Sequence, residues 1–211
     1  MGGVLWQIVA TIAAIVAGGA LASRPHGQPA AIALAVLSAS WGLLLALAGE
    51  PVAGTVQATA GIAAAAVTGV SEVPREQPAR RRRSPQPDEA LAPVFRIVAV
   101  LMGVAIAYGL ARTLPLQPKV TLSPASFCWY WLVMVALILL LLGRDSARAG
   151  YGLLLLSIAA PSFYALVSIQ DSLGVSIAGA AITITLAVLL PHVQPSPDEP
   201  VTTADGVEGS P

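Results

Sequence analysis

The chain has 211 residues, of which 56% are hydrophobic and only 10% charged, and its mean hydropathy is +0.77. A soluble domain carries roughly 25% charged residues, so this chain lacks the polar surface that an ordinary water-soluble enzyme needs. Eleven basic residues balance eleven acidic ones, so net charge points to no partner and the placement of the charges has to be read instead.

A membrane span needs about 20 mostly apolar residues at a rise of about 1.5 Å each, and seven segments satisfy this. The first, 4–22, ends in Ala20-Leu21-Ala22, which looks like a signal-peptidase site. No Lys or Arg precedes it and its apolar stretch is long for a signal peptide, so it is expected to remain as a span. Gly18-Gly19 near its end reads as helix termination rather than a nucleotide loop. The second span is 30–48. The third, 52–70, is rich in alanine, glycine and threonine, and its alternative is a loop or re-entrant segment. It holds the most deeply placed strongly polar residue, Gln57, whose simplest role is an interhelical hydrogen bond, with a pathway role as the rival. Gly54 and Gly61 are seven apart, share one helix face and let a neighbouring helix approach closely.

The insert 71–93 is rich in Pro, Arg, Gln and Glu and centres on Arg80, Arg81, Arg82 and Arg83. It cannot bury enough apolar area to fold alone. It reads either as a topology signal lying near anionic headgroups or as a docking arm for a soluble partner. Nucleic-acid binding is not expected, because a folded basic face with interleaved aromatics is missing.

The fourth span, 94–113, is bracketed by Arg96 and Arg112, which can snorkel to opposite interfaces. The fifth, 126–143, opens on Phe127, Cys128, Trp129, Tyr130 and Trp131. Tryptophan and tyrosine favour the headgroup zone, so Trp129, Tyr130 and Trp131 are expected to form an interface belt; a stacking platform for a quinone headgroup or pigment is the alternative. Cys128 is expected to pack as a small apolar residue, and a single cysteine excludes an internal disulfide or a multi-cysteine metal site. The sixth and seventh spans are 149–169 and 172–190. The acidic, Pro-rich tail 191–211 is expected to be extended or disordered.

Threading seven spans from an external N-terminus puts Arg24, Arg75, Arg80, Arg81, Arg82, Arg83, Arg96, Arg144 and Arg148 on the cytoplasmic side. Only Arg112 and Lys119 fall outside, an asymmetry of nine against two. The positive-inside rule favours this orientation, N-out and C-in. No Asp, Glu, Lys or His sits mid-span, where a proton or ion relay would place one. Catalytic motifs such as GxSxG, a Walker loop or HExxH are absent, no active site is expected in this chain, and no internal repeat is evident.

Two stretches carry a family resemblance. Arg24-Pro25-His26, the Ala/Leu-rich run that follows, and Ala48-Gly49-Glu50-Pro51-Val52-Ala53-Gly54-Thr55-Val56-Gln57 resemble the J-type membrane subunit of respiratory complex I. That family enters its third span through a G-x-x-(Q/E) pattern, which Gly54 and Gln57 match, and continues with a V-Y-x-G-A run around a π-bulge. Here 58–66 contains no tyrosine. The last three spans resemble the three-helix K-type subunit and its relatives in membrane-bound hydrogenases and cation antiporters. Arg144, Arg148 and Gly152 match its R-N-x-x-R…G turn; its intramembrane glutamate falls near Leu154, and no acid replaces it.

The expected protein is therefore an all-α, polytopic integral membrane protein of seven transmembrane helices. It divides into a three-helix segment 1–70, a cytoplasmic linker 71–93, a four-helix segment 94–190 and the tail 191–211. The resemblance implies a non-catalytic subunit of a complex I-like or membrane-hydrogenase-like oxidoreductase in the cell inner (plasma) membrane, supporting proton-coupled electron transfer. Its partners would be the lipid bilayer and other integral membrane subunits. Cofactors are expected to be none in this chain, with quinone and iron–sulfur clusters belonging to partner subunits. The alternatives are a stand-alone transporter or channel with a path of Thr, Ser and Gln, and an accessory scaffold of another bioenergetic complex.

Overall fold

The computed structural model describes residues 2–23, 28–71, 88–116, 123–142, 146–167 and 173–193. They form seven α-helices: α1 (Gly2–Ser23), α2 (Gln28–Leu47), α3 (Pro51–Ser71), α4 (Asp88–Thr113), α5 (Pro124–Leu142), α6 (Ser146–Val167) and α7 (Leu173–Val193). Each contains a stretch long and apolar enough to cross a membrane. The third segment is a full helix of 21 residues rather than a loop. Arg80, Arg81, Arg82 and Arg83 lie outside the described residues.

Local chemistry sets the helix ends. At the α2–α3 turn, Gly49 adopts φ of 106°, a conformation open to glycine at little cost. The Glu50 amide donates to the Leu45 carbonyl at 3.0 Å and the Gly49 amide to the Ala46 carbonyl at 3.3 Å. These are the paired bonds of a Schellman cap. Pro51 then opens α3, at a position that needs no amide donor, and Glu50 accepts the Gly54 amide at 2.9 Å. Ser123 and Pro124 repeat this start for α5, where the Phe127 amide donates to the Ser123 carbonyl at 3.1 Å. α4 begins at Asp88, inside the segment expected to be linker. The sequence there starts with two acids followed by good helix formers, a composition that suits a helix N-terminus. α7 likewise runs on to Val193, past the expected start of the tail.

Helices consecutive in the chain alternate in direction. Facing residues show this: Gly42 with Gly54 and Ser38 with Gly61 across α2 and α3, and Pro161 with Gly179 and Gly150 with Leu190 across α6 and α7. α1, α2 and α3 pack side by side as one layer, and α4, α5, α6 and α7 as the other. The row of three nests on the row of four: α1 against α4 and α5, α2 against α5, and α3 against α6 and α7. The core runs along the seam between the layers, through Leu34, Trp41, Leu45, Trp131, Leu132, Leu154, Leu155 and Ile158. α1 and α4 turn large apolar side chains outward, among them Leu5, Ile12, Phe95 and Leu101.

Candidate functional site

Tryptophans tie the layers together. Trp131 on α5 is completely buried, and its Nε1 donates to the Ala14 carbonyl of α1 at 3.0 Å. It therefore stands inside the bundle and takes no part in an aromatic belt, because its apolar ring and single donor are both satisfied by α1. The Gly18 backbone makes room for the ring: a β-carbon there would lie 2.6 Å from Trp131 Nε1. Gly18 is accordingly an interior contact of a continuous helix, not the helix terminator that the sequence suggests. Trp41 on α2 donates to Ser162 Oγ of α6 at 2.8 Å. Trp129 is half-buried, donates to the Ala159 carbonyl at 2.9 Å and stacks at a tilt on Phe163. Tyr130 donates to the Leu114 carbonyl at the end of α4, at 2.9 Å.

The α2–α3 hairpin is closely packed. Gly42 and Gly54 meet backbone to backbone, so a β-carbon on Gly42 would lie 2.5 Å from the Gly54 carbonyl oxygen. Gly61 lies against Ser38, with Ile158 of α6 on its other side. Small residues let two backbones approach this closely. The helix that Gly54 and Gly61 admit is α2 of the same chain.

Polar side chains collect between α2, α3, α6 and α7. Ser157 and Thr183 share a hydrogen bond of 2.9 Å across α6 and α7. Ser162 accepts from Trp41 and donates to the Ile158 carbonyl at 2.6 Å. Gln57 is 1% exposed, yet neither Nε2 nor Oε1 has a hydrogen-bond partner. The interhelical bond expected of it is not made. Ser176 on α7 is equally buried and its hydroxyl is also unpartnered. A buried amide or hydroxyl without a partner costs roughly 1–3 kcal/mol.

Charge lies at the ends of the bundle. Arg96 donates to the Ser23 carbonyl at 3.4 Å, where the free carbonyls and dipole of the α1 C-terminus attract a cation. Arg96 and Arg148 border one small crevice there, beside Ala22 and Leu142. Arg112 is exposed near the opposite end, in the last turn of α4. The fully buried polar side chains among the described residues are serines, threonines and Gln57. The described residues do not group three metal-ligating side chains. Cys128 is a buried free thiol. A crevice of about 350 Å³ between α1, α4 and α5 is almost wholly apolar, with Gln7, Thr11, Tyr108 and Ser123 on its walls.

Two positions bear on the family resemblance. α3 is α-helical throughout, with no π turn between Pro51 and Ser71. Leu154, near which the K-type resemblance would put a glutamate, is fully buried in the apolar core. Sequence reasoning missed Pro161 within α6, Ser176 and the Trp41–Ser162 bond. A proline inside an apolar run was the one available signal.

The described residues thus form an all-α bundle of seven apolar helices whose fully buried polar side chains are Ser, Thr and Gln. Comparison with protein-family models, curated proteins and solved structures finds no match.

Proposed function

We propose that the chain is a multi-pass protein of the cell inner (plasma) membrane, inserted N-out and C-in, that serves as a non-catalytic subunit of a larger membrane assembly. The observation that carries this reading is the distribution of charge. The fully buried polar side chains of the described bundle are Ser, Thr and Gln, the composition of helix–helix contacts rather than of a charged relay. Arg96 and Arg148 share one end of the bundle and Arg112 lies near the other, in keeping with the arginine asymmetry along the chain. Exposed apolar faces on α1 and α4 are suited to lipid or to the helices of partner subunits.

The more specific proposal, a subunit of a complex I-like or membrane-hydrogenase-like oxidoreductase, rests on the short motifs around Gly54, Gln57, Arg144, Arg148 and Gly152. α3 is helical throughout and Leu154 is apolar, so neither the π-bulge nor the intramembrane glutamate of those subunits is matched here. The chain's part would then be to supply helix surfaces and lateral contacts, while quinone, iron–sulfur clusters and titrating acids reside in its partners. Capture of the tagged chain in mild detergent, followed by mass spectrometry, tests this. Co-purification with large polytopic subunits and iron–sulfur proteins is expected. Recovery of the chain alone, active as a transporter in liposomes, would overturn it.

A further inference from the structure

The two unpartnered side chains on α3 and α7 fall at one place in the bundle. Gly61 faces Ile158, and α3 runs antiparallel to α6, so Gln57, four residues earlier, stands at the height of Ser162. Gly179 faces Pro161, and α7 is also antiparallel to α6, so Ser176, three residues earlier, stands at the height of Tyr164. The two heights differ by two residues of α6, about 3 Å along the axis. On α3, Gln57 follows the stripe Ala53, Ala60 and Ala64, all buried, beside the one that meets α2. On α7, Ser176 belongs to the buried stripe that includes Gly179 and Thr183 and meets α6. Both therefore point into the junction of α3, α6 and α7.

The junction thus combines two amide donors and an acceptor from Gln57 with a hydroxyl from Ser176. Its walls are otherwise short: Ala53, Ala60, Gly179 and Ala165.

We propose that this junction is a buried water site, in which water held by the Gln57 amide and the Ser176 hydroxyl completes their hydrogen bonding. Water supplies both donors and acceptors to such a set and characteristically makes about three bonds to buried groups of this kind. A cation is disfavoured, since no carboxylate is buried among the described residues to offset its charge. The site is independent of what the chain assembles with.

Water-edited solid-state NMR on the full chain in phosphatidylcholine liposomes, labelled with ¹⁵N-glutamine, tests it. Gln57→Leu assigns the Gln57 side-chain signal by its loss, and Gln57→Asn serves the same end if the leucine variant does not fold. Magnetisation is expected to pass from water to the Gln57 side-chain amide several-fold faster than to the Gln57 backbone amide. Ser176→Ala should slow that transfer, whereas Ser126→Ala, a buried unpartnered hydroxyl on α5, should leave it unchanged. Side-chain transfer as slow as that to the backbone, or transfer indifferent to Ser176→Ala, would overturn the proposal.

Discussion

The Trp131 indole fills the space above Gly18: a β-carbon at Gly18 would lie 2.6 Å from Trp131 Nε1, the same nitrogen that donates to the Ala14 carbonyl at 3.0 Å. A glycine on α1 thereby allows α5 to hydrogen-bond to its backbone, and the bond crosses from one helix layer to the other.

Gly18→Ala should push the indole off Ala14 and cost about 1–3 kcal/mol, the usual penalty of overpacking. Gly19→Ala is the matched control, because its β-carbon would meet only Val100 Cγ1 at 3.6 Å. It should be neutral or slightly stabilising, since alanine is the better helix former by up to about 1 kcal/mol. Thermal unfolding of the two variants in detergent gives the comparison.

Gly42→Ala and Gly54→Ala should each destabilise by about 3 kcal/mol, the upper end of the overpacking range. Each new methyl group would meet backbone, which cannot step aside as a side chain does. Gly109→Ala and Gly174→Ala, with nothing within 4 Å of the added carbon, should fall within about 0.5 kcal/mol of the parent chain.

The number of helices was legible because an apolar run of about 20 residues has few other solutions, whereas the polar first turn of α4 and the last turn of α7 extend beyond the apolar runs. So was the α2–α3 turn, where Gly49, Glu50 and Pro51 punctuate two such runs. Rotation of each helix about its own axis was not legible. A helix that is apolar all round has no hydrophobic face to orient it, so nothing in the sequence distinguishes buried Trp131 from exposed Trp6. Gly18 was misread for the same reason: glycine marks both helix ends and close contacts, and only the position of Trp131 decides between them. Gln57 could be identified as an interior polar residue, but the absence of a partner depends on what α6 and α7 present to it.

A double-mutant cycle on Trp41→Phe and Ser162→Ala should return a coupling of about 0.6–1.7 kcal/mol, the range for hydrogen bonds between apolar helices. Their bond of 2.8 Å joins α2 to α6 and is fully buried. Coupling indistinguishable from zero would show that the two helices are held by apolar packing alone.

Cys128 is 2% exposed, so the folded chain should resist alkylation by maleimide in detergent and react once denatured. Mass spectrometry before and after denaturation reads the difference. Rapid labelling of the native protein would show that the α1–α5 contact opens.

The central claim, that all seven helices cross a membrane with the N-terminus outside, is tested most directly by Arg82→Cys in a Cys128→Ala background. Three spans precede this position, so it should lie on the cytoplasmic face. A membrane-impermeant maleimide is expected to label it in inside-out vesicles and to leave it unlabelled in right-side-out ones. Labelling from the outer face, or recovery of the chain in the soluble fraction, would contradict the seven-span reading.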